Sequence, residues 1–125
     1  MAKERKPKVL SEYEIGRCMS AIDAVVMLGK PIAEVMSRKA KLQDLRSDLQ
    51  NCIRLSRKRK FGVKVWIKKS GTRFRYGFYR HSWARKALNS LDDKKFSDFD
   101  RDWISGLLFG YQPNQIQRFI DKKGA

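Results

Sequence analysis

The residues of this sequence whose types and spacing could do chemistry are lysines, arginines and aromatic rings. Thirteen lysines and arginines lie between Asp48 and Asp92, and this stretch contains no aspartate or glutamate. It therefore carries most of the formal net charge of +16. Clustered charge creates a local field that attracts polyanions, whereas charge that serves solubility alone is spread over the surface. The sequence predicts a polyanionic partner.

Within this stretch the apolar residues change to a period of two, which is typical of β-strands. Residues 63–67 and 74–78 alternate in this way on either side of Ser70-Gly71, so we expect a β-hairpin with a two-residue turn there. In that register Ile67 lies opposite Phe74, and all the apolar residues share one face. The opposite face would present Lys64, Trp66, Lys68, Arg73, Arg75 and Tyr79.

The outward face of this hairpin would combine charge with aromatic rings. Lysine and arginine neutralise phosphates, and exposed rings such as Trp66 and Tyr79 can stack on unpaired bases. The alternative is that a helix covers Trp66 and that the charges only protect edge strands from aggregation.

A basic rim is expected beside the hairpin. Residues 54–60 contain five bases, more than the dipole at a helix C-terminus requires. A phosphate-contacting surface explains the excess, and a nuclear-localisation signal is an alternative interpretation. The residues predicted to form this rim are Arg54, Arg57, Lys58, Arg59 and Lys60, and Arg80, Arg85 and Lys86 would extend it if the next helix packs beside the hairpin. Lys69 is a further candidate for nucleic-acid binding.

Catalysis finds little support in the sequence. His81 is the single histidine, no cysteine-histidine spacing suits a metal, and no glycine-rich phosphate loop or nucleophile motif occurs. The predicted strands lack the acids that a metal-dependent nuclease needs. We expect no enzymatic activity, no cofactor, no metal and no small-molecule substrate.

The C-terminal segment, residues 100–123, has the outline of a helix-turn-helix. In a reading head Gln115, Gln117 and Arg118 would face the major groove, but the region is charge-neutral with an acidic start. A packing or protein-contact role fits it better. The candidate contact residues are Phe109, Tyr111, Gln115 and Arg118.

The elements that must position these residues begin with a capping box at Ser11-Glu12-Tyr13-Glu14, which predicts a helix over about residues 12–28. A second apolar stripe predicts another helix from Pro31 to about Ser56. The short joint between them favours an antiparallel helical hairpin. On that arrangement Cys18 and Cys52 lie roughly 15 Å apart along the axis and form no internal disulfide.

The predicted fold is therefore α+β: an N-terminal antiparallel helical hairpin, a central two-stranded antiparallel β-hairpin and two to three short C-terminal helices. We expect residues 1–9 to be a flexible basic segment and residues 10–125 to form a single domain. No apolar run is long enough for a membrane span, which favours a cytoplasmic protein.

The most economical functional interpretation is a non-catalytic protein that binds DNA or RNA through its phosphate backbone. Duplex and single strands remain open as targets. The alternative is a small inhibitor or adaptor, of the kind found in phages and mobile elements, that docks on an acidic protein or nucleoprotein complex. A ribosome-associated protein also fits the charge.

Overall fold

A computed structural model describes residues 9–92 and 95–124 of the chain. Within these residues the protein has five α-helices and one three-stranded antiparallel sheet, which confirms the α+β class. Apart from Val9, the expected flexible segment at residues 1–9 lies outside the described residues. None of the described helices is long and apolar enough to cross a membrane. The elements are α1 (Glu12–Val26), β1 (Ile32–Arg38), α2 (Leu42–Ser56), a 3₁₀ turn (Arg59–Phe61), β2 (Lys64–Ser70), β3 (Arg73–Tyr79), α3 (Ser82–Ser90), α4 (Asp98–Leu108) and α5 (Pro113–Lys123).

The first half of the chain differs from the predicted helical hairpin. The segment expected to be one helix from Pro31 to Ser56 forms β1 and then α2. Spacing alone suggested a helix, because Ile32, Val35 and Met36 follow a three-then-four pattern. Pairing with β3 overrides that local pattern, and a bulge between Glu34 and Met36 absorbs the irregular spacing.

The sheet therefore has three strands in the order β1-β3-β2, instead of the expected two. The hairpin of β2 and β3 exists, but its turn is Gly71-Thr72 and its register differs by two residues, so that Ile67 pairs with Tyr76 and not with Phe74. Gly71 has a φ of +61°, as the first central residue of a type II′ turn requires. Because a two-residue shift preserves the alternation of side chains, the apolar face is the predicted one.

Helices α1 and α2 pack on that apolar face and form the main core with it. The predicted capping box is present, because Ser11 Oγ accepts from the Glu14 amide at 3.2 Å and Glu14 Oε1 accepts from the Ser11 amide at 3.3 Å. Cys18 and Cys52 are both buried and free. The two thiols are neighbours in the core, and the Cys52 thiol together with burial raises the pKa of Cys18. The expected separation of these cysteines is wrong, since α1 and α2 lie side by side with a strand between them in sequence.

Glu14 also ties α1 to the sheet. It accepts hydrogen bonds from Arg38 Nη1 at 2.7 Å and from the Tyr76 hydroxyl at 3.1 Å. Burial opposes ionisation of this carboxyl, but the bonds from Ser11, the charge of Arg38 and the Tyr76 hydroxyl outweigh burial and lower its pKa. Burial raises the pKa of Tyr76, and the contact with Glu14 adds to this effect.

The opposite face of the sheet is covered by α3 and α4, with α5 packed on α4. Trp66 is buried there to 1% exposure, and its indole Nε1 donates to the Ala33 carbonyl at 3.3 Å. The indole reaches β1 by passing over Gly77, where an added Cβ would lie 1.9 Å from the Ala33 oxygen and 2.8 Å from Nε1. Burial of roughly 200 Å² of ring surface contributes at most about 5 kcal/mol. Trp66 is therefore a core residue, and its expected outward position is wrong.

Candidate nucleic-acid interface

The cations of the predicted hairpin face do not form one open surface. Lys68 Nζ lies 2.9 Å from a carboxylate oxygen of Asp92, and Arg75 Nε donates to Glu34 Oε1 at 2.7 Å. Lys68 is largely covered, with a side chain that is 19% exposed. Both charges are neutralised locally, so they add little to a phosphate-binding field.

The other residues of that face are dispersed. Arg73 leans towards β1, where it donates to the carbonyl of Ser37 at 2.7 Å. Tyr79 is half-buried and packs against the core beneath α3 and α4. Lys64 is exposed and lies opposite Tyr79 in the ladder. Sequence alternation predicted a shared face correctly, but helices α3 and α4 occupy it.

The basic residues gather instead at the edge of the sheet. Within the described residues β2 pairs with β3 alone, which leaves its outer edge free. Between this edge and α2 lies the β2-edge groove, formed by two adjoining cavities of about 350 and 230 Å³ that share Gln50. Its lining residues are Arg46, Ser47, Gln50, Asn51, Ile53, Arg54, Arg59, Val63, Val65, Ile67 and Arg85.

Helix α2 supplies one wall of the groove through Arg46, Gln50 and Arg54. These residues are four apart and therefore share one face of the helix. At 1.5 Å per residue they extend over about 12 Å. Arg54 donates to the side-chain oxygen of Asn51, which fixes its guanidinium beside the groove.

The remaining arginines close the two ends of the groove. Arg59, in the 3₁₀ turn, lies at the end near Arg54, and Arg85 reaches around the sheet edge from α3 at the other. Arg85 Nη2 donates to the Ile67 carbonyl at 3.3 Å. Among residues 9–92 and 95–124, no acidic side chain lines the groove and none of its four arginines forms an ion pair with a carboxylate.

An aromatic ring lies next to the groove in the 3₁₀ turn. Phe61 is 38% exposed, and the ammonium groups of Lys58 and Lys60 lie 5.9 and 5.2 Å from its ring centre. Arg80 Nε donates to the Phe61 carbonyl at 2.7 Å and fixes the turn to the end of β3. We call Lys58, Lys60, Phe61 and Arg80 the Phe61 platform. It combines charge and ring surface in the way that was predicted for Trp66.

Three residues predicted to bind nucleic acid lie outside both features. Arg57 ends α2 in a left-handed conformation with a φ of +60°, and its side chain is exposed. Lys69 is exposed near the hairpin turn, and Lys86 is exposed on α3. These residues extend the positive field without lining the groove.

Sequence reasoning missed Arg46, Gln50 and Phe61. The spacing of four in Arg46, Gln50 and Arg54 was a usable signal, because it places three polar side chains on one helical stripe. Phe61 directly follows a run of four bases, which is the pattern of an aromatic ring among cations. Neither signal distinguishes a groove from a solvated surface without knowledge of the neighbouring strand.

The candidate protein-contact residues of the C-terminal helices are only partly together. Tyr111 and Gln115 line a cleft of about 460 Å³ between α4 and α5. Phe109 does not line this cleft: it packs against the core beneath α3 and α4, and it meets Tyr111 in a separate cavity of about 560 Å³ beside α1 and β1. Arg118 is exposed on α5 and does not line the cleft, whereas Phe119, which was not predicted, lines it and is 56% exposed.

Comparison of the chain with protein-family models, with curated proteins and with solved structures finds no match. The features of the chain that indicate a function are therefore the groove, the Phe61 platform and the C-terminal cleft.

Proposed function

We propose that this chain is a non-catalytic nucleic-acid-binding protein that holds a phosphate backbone in the β2-edge groove. The observation that supports it best is the convergence of four arginines from α2, the 3₁₀ turn and α3 on one groove lined by no acidic side chain among the described residues. Arginine presents a planar fork that matches phosphate oxygens, and it is the residue most suited to such contacts.

The dimensions of the groove suit a nucleic-acid strand. Successive charges along one strand of a duplex are 3.4 Å apart, so a wall of about 12 Å faces roughly three or four nucleotides. The Phe61 platform then offers a ring on which an unpaired base can stack. A single strand presents both its backbone and its base faces, and we therefore propose single strands as the preferred form.

A salt titration tests this function directly. Neutralising about four phosphates, one for each arginine of the groove, predicts that log affinity falls with log salt at a slope near −3 for single strands and near −4 for duplex DNA. Binding of fluorescently labelled single-stranded DNA, RNA and duplex DNA is measured by anisotropy at several salt concentrations. Binding that does not respond to salt, in protein that remains folded, contradicts the proposal.

A matched pair of variants locates the interface. Arg59→Gln removes one charge from the groove, and Arg118→Gln removes one exposed charge from α5. The first variant is expected to reduce the magnitude of the salt slope by about 0.7 to 0.9, the contribution of one phosphate contact. The second should leave the slope unchanged. Equal effects of the two variants would show that net charge, and not the groove, governs binding.

The C-terminal cleft supports a second candidate, docking on a protein. Tyr111 and Phe119 are 58% and 56% exposed and line the cleft together with Gly106 and Ile116. Exposed rings around a pocket are typical of protein-binding surfaces. A stoichiometric partner retained from nuclease-treated extract by the unaltered protein, and lost with Phe119→Ala, would favour an inhibitor or adaptor.

A further inference from the structure

The smaller cavity of the β2-edge groove is lined by Arg85, whose guanidinium group is incompletely hydrogen-bonded. Arg85 Nη2 donates to the Ile67 carbonyl, whereas Nη1 is buried and has no hydrogen-bond partner among the described residues. A buried charged donor without a partner is unfavourable, because it has lost water without gaining a replacement. Because Arg85 lines the cavity, a ligand oxygen there could accept from this guanidinium group.

The surroundings of Arg85 indicate which ligand fits. The cavity, of about 230 Å³, is lined by Arg46, Gln50, Val65 and Ile67 in addition to Arg85. Two guanidinium groups therefore approach it, one from α2 and one from α3. No carboxylate lines it within the part of the chain that the structure describes. Two positive forks and an amide favour a tetrahedral oxyanion over a neutral or cationic ligand.

The free strand edge adds a backbone donor to this cavity. In an antiparallel sheet the N–H and the C=O of one strand residue point to the same edge of the strand, either towards the neighbouring strand or away from it. Because the carbonyl of Ile67 faces Arg85 at the free edge, the amide N–H of Ile67 faces the groove as well. The guanidinium of Arg85 and this amide can thus donate to different oxygens of one phosphate.

We propose that Arg85 and Arg46, with the amide of Ile67, form a seat for one phosphate group of a bound nucleic acid. The inference rests on the proposed nucleic-acid binding and specifies where in the groove the strand is fixed. The seat differs from the other cations of the surface in requiring the arginine fork, because a lysine ammonium supplies charge without two parallel donors. It therefore sets the register of the strand in the groove, which exposed lysines do not.

A conservative substitution distinguishes binding at this phosphate seat from general electrostatic attraction to the basic surface. Arg85→Lys retains the charge and removes the fork, and Lys86→Gln removes a charge from the adjacent exposed position. With a single-stranded probe of about twelve nucleotides, within the usual site size, Arg85→Lys is expected to weaken binding about tenfold, the order of a lost charge-assisted hydrogen bond. Lys86→Gln should weaken it less than about threefold. Urea midpoints establish that the variants are folded, and Arg46→Lys, at an exposed position on α2, repeats the test if Arg85→Lys is unstable.

Titration with inorganic phosphate, followed by the amide resonances of the protein, gives a second readout. The Ile67 amide and the Arg85 side-chain resonances are expected to shift in the unaltered protein, and the Ile67 amide is expected to remain fixed in Arg85→Lys. Binding of the oligonucleotide by Arg85→Lys and Arg46→Lys at unaltered affinity would overturn the seat and leave the proposed function intact. Failure of the unaltered protein to bind any oligonucleotide at low salt would overturn both, even if free phosphate still shifted the Ile67 amide.

Discussion

Substitution of Gly77 by alanine tests how the sheet is held together. The added Cβ would lie 1.9 Å from the Ala33 oxygen and 2.9 Å from the Ala33 carbonyl carbon, both of them backbone atoms. Ordinary contact begins at 3.4 Å, so β1 must move by about 1.5 Å. Such a movement breaks the bond from Trp66 to Ala33 and the neighbouring ladder bonds between β1 and β3, because their donor–acceptor distances would exceed hydrogen-bonding range.

The size of the effect follows from the bonds lost. About three hydrogen bonds at roughly 1 kcal/mol each give a destabilisation of about 3 kcal/mol. Overpacking of a buried site typically costs a similar amount. For a domain of this size that corresponds to a decrease in Tm of roughly 10 °C.

Urea denaturation followed by tryptophan fluorescence measures this change. The control is Gly16→Ala, since a Cβ at that exposed helical position has no neighbour within 4 Å. The control should stabilise the protein by about 0.5 to 1 kcal/mol, because alanine favours helix. If Gly77→Ala unfolds at the same urea concentration as the control, the close approach of β1 to β3 and the position of the Trp66 indole are refuted.

Three further predictions concern charge and stacking. Because the pKa of Glu14 is lowered in the folded protein, its ionised carboxylate stabilises the fold at pH values above its unfolded pKa near 4.5, and this contribution is lost as the pH falls through the folded pKa. Between about pH 6 and 3, the urea midpoint of Glu14→Gln should therefore decrease less with falling pH than that of the unaltered protein. Parallel curves would contradict the lowered pKa of Glu14. Lys68 is paired with Asp92, whereas Lys64 is exposed. In anisotropy titrations Lys64→Gln should therefore reduce the salt slope of nucleic-acid binding more than Lys68→Gln does. A larger reduction by Lys68→Gln would contradict the view that unpaired cations attract the nucleic acid. Phe61→Ala should weaken binding of single strands by about 1 to 3 kcal/mol and leave duplex binding nearly unchanged; a uniform loss on both forms would exclude stacking on this ring.

Much of the local structure could be predicted because it depends on neighbours in sequence. The capping box of Ser11 and Glu14, the alternation of residues 63–67 and the clustering of bases after Asp48 all express short-range chemistry. Even the misassigned hairpin register preserved the correct apolar face, since side chains alternate with a period of two. These patterns establish the α+β class and a strongly basic middle segment.

The position of β1 could not be read in the same way. The spacing of its apolar residues is compatible with a helix and with a strand. The strand is favoured only because the edge of β3 that β2 leaves unpaired can bind it. The burial of Trp66 likewise depends on elements that are distant in sequence. A period of two assigns it to the face opposite Tyr76, but whether that face is open or covered depends on α3 and α4, which follow later in the chain.

The sequence by itself determined that this protein is basic in one continuous stretch and that its strands have one apolar face. Only the tertiary structure decided where the cations meet. Arg46, Arg59 and Arg85 are far apart in sequence and belong to three elements, and they converge because α2 and α3 flank the free edge of β2 on opposite sides of the sheet. Charge is a property of composition, whereas a groove requires surfaces brought together by packing, and that packing is driven by the apolar faces instead of the charges.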